Sequence, residues 1–168
     1  LHKLGHRRIG VLSGPSGRNV TACGYLAYRQ MLQELGLAED ECFFKACDWG
    51  ETAGYEEFSR LLKSGRRPTA LVAFEDYMAC GAIRAAEDFG IRVPEELSVV
   101  GFGNYTDAPS PVPLTTVDVF NGELGAKSLE LITEILKGKT PPDRKIFVKP
   151  LLIERDSCRK PANRKDKK

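Results

Sequence analysis

Histidine is almost absent from this sequence. The only two, His2 and His6, precede the first strand-like segment, so a Ser-His-Asp or Cys-His arrangement has no base to draw on. They stand at i, i+4 spacing, but no third ligand follows nearby, which argues against a metal site. Long apolar runs are missing too: the longest, residues 70–74, falls far short of the ~20 residues of a membrane helix. The first seven residues show no signal-peptide pattern. The five cysteines are odd in number and include no C-x-x-C pair; with three in apolar periodic segments, they read as free thiols in a reducing, cytoplasmic setting. Strong charge is lacking as well. The overall +2 conceals six Lys/Arg against Asp166 alone in residues 159–168, so the body before that basic, disordered tail is slightly acidic and offers no nucleic-acid platform. The chain opens on Leu1 with a strand expected by Arg8, and is read as a piece of a longer protein.

What is present alternates between β-branched or aromatic runs and segments of helical period, the signature of an α/β fold. Strands are expected at residues 8–13, 42–48, 70–75, 98–102, 115–119 and 146–153. Helices are expected at 20–35, 52–64, 77–89 and 121–137, the last with Leu124, Ser128, Leu131 and Ile135 on one stripe. Each helix runs into a glycine (Gly36, Gly65, Gly90, Gly138) suited to the left-handed C′ position. Helices of this length between strands imply parallel pairing with right-handed crossovers, hence a doubly wound parallel sheet. In such sheets ligands gather beyond the carboxyl ends of the strands.

The loops at those ends are therefore the ones to inspect. Residues 13–19 read SGPSGRN, with neither G-x-G-x-x-G spacing nor a Gly-Lys-Ser/Thr, so no dinucleotide fold or P-loop starts here; Gly138-Lys139-Thr140 follows a helix and reads as a C-cap. Trp49, the one tryptophan, follows the second strand and is either the wall of a ligand pocket or a rim aromatic. Glu75 ends the third strand, where ligand contact and plain solvation are equally open. Asp76 is expected to cap the helix that follows.

The run GIRVPEELSVVGF at 90–102 resembles the LacI/GalR family of bacterial transcriptional repressors. The likeness continues in collinear order through GHRRIG at 5–10, PTA at 68–70, DYMACGA at 76–82, PLTTV at 113–117 and LIERDS at 152–157. It implies a DNA-reading headpiece followed by an effector-binding core of two similar subdomains with the type I periplasmic-binding-protein-like fold. On that resemblance residues 1–158 are part of such a core. The C-terminal subdomain takes about 7–117 plus 146–158, residues 119–145 belong to the otherwise missing N-terminal subdomain, and the headpiece is not in this chain. The resemblance further implies a non-catalytic module without cofactor. It senses a small molecule between the subdomains and forms a homodimer through the helix 77–89 and the segment 105–111.

Residue by residue, Trp49 matches an aromatic that lines the sugar pocket in some members, and Glu75 the polar residue before the helix-starting Asp76. Two positions depart from the pattern: Thr21 stands where an arginine is usual, and Gly103 where an aspartate follows the fourth strand. A shorter first loop brings Arg18 to the missing guanidinium's place, and Asn104 offers its amide beside Gly103. These departures point from neutral sugars toward an acidic or phosphorylated metabolite. The competing reading is a solute-binding protein of the transport class on the same fold; an enzyme would need a nucleophile–base pair that the sequence does not supply.

Overall fold

The computed structural model describes residues 1–38, 43–139 and 147–162. Six strands form one sheet: β1 (Ile9–Ser13), β2 (Phe43–Ala46), β3 (Ala70–Ala73), β4 (Ser98–Phe102), β5 (Thr115–Asp118) and β6 (Leu151–Ile153), in the order β2-β1-β3-β4-β5-β6. The helices are α1 (Asn19–Leu35), α2 (Glu51–Lys63), α3 (Asp76–Asp88) and α4 (Asn121–Leu136). All four begin at or one residue before the expected position. Gly36, Gly65, Gly90 and Gly138 all take positive φ. After three of them the next amide folds back onto the helix: Leu37 N–H to Leu32 O at 2.9 Å, Ile91 to Ala86 at 2.8 Å and Lys139 to Glu134 at 3.1 Å. This is the Schellman pattern that closes a helix on orphan carbonyls.

Strand alternation divides the interior into two cores. Leu12, Leu71, Ala73 and Val99 face α2 and α3, meeting Phe58, Leu61, Leu62, Met78 and Ile83. Ile9, Val11 and Ala70 face α1, meeting Tyr28 and Leu32. All of β1 is buried, as a central parallel strand covered on both faces must be. Gly54 and Gly81 let α2 and α3 touch backbone to backbone. A Cβ built on Gly54 would lie 2.2 Å from Met78 O, and one on Gly81 only 1.9 Å from Glu51 O. Burial pushes the Cys47 and Cys80 thiols up to about 11, with nearby carboxylates adding to the effect.

Two expectations fail at the far edge of the sheet. Strand β6 pairs antiparallel with β5, although a helix separates the two in sequence. The parallel rule holds when the intervening helix packs back on the sheet, and α4 buries none of its residues; the chain instead turns and returns along the edge of β5. The last strand is also shorter than expected. Residues 147–150 are irregular, Phe147 is 89% exposed, and Pro150 has no N–H to give a ladder; Ile146 lies outside the described residues. The expected stripe of α4 is left in the open, with Ile135 53% exposed.

The stretch after β6 is stitched beneath the sheet, which gives the LIERDS motif its physical meaning. Ser157 Oγ donates to Val99 O at 2.6 Å and accepts Thr115 N–H at 2.8 Å, while Val99 N–H reaches Ser157 O at 2.9 Å. Arg159 N–H donates to Ser98 Oγ at 3.0 Å, and Arg159 O meets His6 Nε2 at 2.8 Å. Arg159, the first residue of the expected tail, is thus bound to the domain, and residues 163–168 lie outside the described residues. His6 is buried with both ring nitrogens engaged, Nδ1 lying 3.0 Å from Thr69 Oγ1; it is a structural clasp and not half of a metal pair with His2.

Burial holds the His6 imidazole below its ordinary value of 6.5, partly offset by its bond to Arg159 O. The unfolded chain therefore takes up a proton near 6.5 that the folded chain accepts only at lower pH. Stability is fully present above that value and is lost as pH falls through the depressed folded one. Melting curves between about pH 7 and pH 5 are expected to show a falling midpoint. His6→Gln should lower the midpoint at neutral pH and flatten its slope; an unchanged slope would mean other groups carry the pH dependence.

Candidate functional site

Strands β1 and β3 lie side by side, but β1 leads into α1 on one face and β3 into α3 on the other. The crevice between their carboxyl ends is the switch point at which this topology collects ligands. Four loops meet around it, and their residues are locked to one another across long sequence separations.

Trp49 sits on Gly14: a Cβ built there would lie 2.0 Å from the indole, so only glycine lets the ring approach the first loop. The indole remains 42% exposed, with one surface available at the mouth. Beneath it Thr21 Oγ1 lies 3.0 Å from both Gly14 O and Pro15 O. Thr21, in the position where the resembling family carries arginine, thus braces the first loop from inside. Arg18 precedes α1 with extended backbone (φ −91°, ψ 140°) and is exposed. Glu75 Oε2 accepts Gly50 N–H at 2.7 Å, tying the end of β3 to the turn that carries Trp49. Trp49, Thr21 and Glu75 thus form one connected unit through Gly14 and Gly50, with Arg18 exposed beside the first loop.

A second unit surrounds the end of β4. Asp76 is 2% exposed and corrects the expectation of a helix cap, since no side-chain cap bond forms at the start of α3. Its Oδ1 accepts Thr116 Oγ1–H at 2.6 Å and its Oδ2 accepts Tyr105 N–H at 2.8 Å. The carboxylate is drawn away from its own helix by a buried donor on β5, the Thr116 hydroxyl, and a part-buried one on the β4–β5 loop, the Tyr105 amide. Gly101 makes the seat, as a Cβ there would lie 2.1 Å from Asp76 Oδ1. Gly103 is buried at φ 120° under the Tyr105 ring, which a Cβ would meet at 2.5 Å. An aspartate at 103 would be both strained and obstructed. Tyr105 also packs on Tyr77 with ring centroids 5.6 Å apart, and the bond to Asp107 pushes the Tyr77 hydroxyl up to about 12.

Asn104 lies in this second unit, and its amide is occupied. Nδ2–H donates to Asp118 Oδ2 at 2.9 Å, and Oδ1 accepts Arg155 Nη2–H at 2.7 Å. A cavity of about 360 Å³ opens below the loop here, lined by Asp76, Asn104, Tyr105, Ser110, Leu114 and Arg155; it does not reach Trp49. Asp118 was not singled out from sequence, and Tyr105, Thr116 and Arg155 entered only through the segment 105–111 and the PLTTV and LIERDS motifs, not as site residues. The available signal was register, because parallel pairing sets Val117 opposite Phe102 and so puts Asp118 beside the loop that begins at Gly103.

The loops at the switch point of this doubly wound sheet thus carry Trp49, Glu75 and the exposed Arg18. The chain belongs to the periplasmic binding protein-like domain family, which matches residues 1–158. Within it the likeness is to the effector-binding cores of LacI/GalR regulators. The HTH-type transcriptional repressor PurR of Edwardsiella ictaluri is 34% identical over 158 residues, 94% of this chain and 46% of that protein. The lac repressor dimer bound to operator and the anti-inducer ONPF superposes with a TM-score of 0.84 at 28% identity, covering 95% of this chain and 55% of that one. A LacI-family sugar-binding regulator from Escherichia coli complexed with phosphate gives 0.83 at 30% identity, covering 95% and 58%. The chain thus spans about half the length of the curated relatives it matches. Among the described residues no helix is long and apolar enough to cross a membrane.

Proposed function

We propose that this chain is the sensing half of a cytoplasmic LacI-type transcriptional regulator, acting without catalysis. A small-molecule effector lies at the switch point against Trp49, Arg18 and Glu75, with Gly103 and Asn104 at the far side. α4, with the rest of 119–145, belongs to the opposing subdomain, of which residues 140–145 lie outside the described residues. A second copy of the chain is the protein partner, and DNA is contacted only through a headpiece outside these residues. The observation that carries this reading is the half-exposed indole seated on Gly14 and tied through Gly50 to Glu75, a surface held rigid yet open. The effector class is acidic or phosphorylated. Arg18 is exposed with no ion-pair partner among the described residues, Gly103 presents only backbone, and a relative of this fold has been solved with phosphate.

Titration of the chain with neutral and phosphorylated sugars, followed by Trp49 emission, tests this. With one jaw of a two-jaw cleft the contacts are roughly halved, so dissociation constants in the millimolar range are expected. Arg18→Ala is expected to weaken a phosphorylated ligand about tenfold and leave a neutral one unchanged. Tight binding that leaves the emission unmoved would put the pocket elsewhere, and preference for neutral sugars would remove the assigned ligand class.

A further inference from the structure

Among the described residues two that are not glycine hold left-handed backbone, Asn104 at φ 53° and Phe120 at φ 51°. One carboxylate binds both. Asp118 Oδ2 accepts the Asn104 side-chain N–H at 2.9 Å, and Asp118 Oδ1 accepts the Phe120 backbone N–H at 2.7 Å. Asn104 is held from its other side by Arg155, whose second amino group donates to Leu114 O at 2.6 Å. Strained backbone at two points persists only where its surroundings over-determine it, and here the shared determinant is Asp118. Phe120 immediately precedes α4, and its carbonyl accepts the Leu124 N–H at 2.9 Å. Because α4 buries no residue, packing does not fix its direction. The backbone at 118–121 does.

We propose that Asn104 is a positioning residue and that its bond to Asp118 is a latch setting the direction in which α4 leaves the sheet. The loop at the end of β4 borders the mouth and is tied to β5 by Gly103 N–H to Val117 O at 2.8 Å and Asn104 N–H to Thr116 Oγ1 at 3.4 Å; the Asp118 carboxylate is the side-chain link that joins it to the residue before α4. The purpose of the latch rests on the functional reading above. With α4 in the opposing subdomain, a ligand oxygen that takes the Asn104 amide releases Asp118 and shifts the population of subdomain angles. The latch itself is a property of this chain without ligand.

Two variants cut the same bond while sparing the backbone. Asp118→Asn keeps an oxygen for Phe120 N–H but turns an N–H₂ toward Asn104; Asn104→Gly removes the amide and accepts positive φ without strain. Residual dipolar couplings of backbone amides report the direction of α4 relative to α2 and α3, and hydrogen exchange reports the Phe120 and Leu124 amides. The wild type is expected to fit one alignment throughout. In either variant the α4 couplings should shrink while those of α2 and α3 hold, exchange at Phe120 and Leu124 should rise about tenfold or more, and the double variant should add nothing further. Unchanged α4 couplings in the variants, couplings already averaged in the wild type, or additive effects of the two changes would each overturn the latch. None of these measurements uses a ligand. A failed latch leaves the Trp49 titration standing, and a silent Trp49 titration leaves the latch standing.

Discussion

Replacement of Gly81 by alanine is expected to destabilise the domain by about 3 kcal/mol, the upper part of the range for overpacking a close-fitting core. A methyl group at this site would lie 1.9 Å from Glu51 O and 2.7 Å from Tyr55 N. Both are backbone atoms of α2, and neither can rotate aside. Relief requires the helices to part, which opens the core made by Phe58, Leu61, Leu62, Met78 and Ile83. The sign of the result is decisive: in an exposed helix interior the same change would stabilise by about 1 kcal/mol through helix propensity alone. Urea unfolding monitored by circular dichroism measures it, and a stabilised variant would mean that α2 and α3 do not touch as described.

Asp76→Ala is expected to cost about 3 kcal/mol and to loosen the β4–β5 loop. Removing the carboxylate leaves the buried Thr116 hydroxyl and the part-buried Tyr105 amide without their acceptor, and hydrogen bonds to a charged group are worth ~1.5 to 3 kcal/mol each. Tyr105 is the ring that covers Gly103, so its release alters the mouth as well as the stability. Asp76→Asn keeps one acceptor and is expected to lose less. Exchange at the Tyr105 amide should accelerate in step with the loss of stability in the alanine variant. A cost below about 1 kcal/mol, or an unmoved Tyr105 amide, would show that Asp76 caps α3 after all.

The contrast between Asp76 and the four helix-ending glycines shows which features were open to sequence reading. A glycine after an apolar-periodic segment acts through its own φ and the preceding turn, so its role can be read within a few residues. The partners of Asp76 are 29 and 40 residues away, and nothing local distinguishes a carboxylate that caps from one that reaches across. Gly54 and Gly81 were invisible for the same reason: inside a helical period each is merely small, and its meaning comes from the other helix. At the mouth, Trp49 and Glu75 could be placed at strand ends from the order of elements. Their link through Gly50 N–H could not, and neither could the occupation of the Asn104 amide by Asp118 and Arg155. Strand β6 misled because crossover rules presuppose a helix that lies on its own sheet.

The clasp between His6 and Arg159 bears on how the domain comes into being. Its two residues are 153 apart in the chain, and the neighbouring stitches of Ser157 to Val99 and Thr115 span 58 and 42. Contacts this distant form slowly, because closing the intervening chain costs entropy before any contact is gained. During synthesis β1 and β3 can pair well before the segment that seals the lower end of β4 has emerged, so the nascent sheet stays open along that rim. A ribosome that stalls before Ser157 holds a sheet with unpaired amides at Val99 and Thr115. The stitches of Ser157 and Arg159 thus mark the point in synthesis at which this rim of the sheet can close.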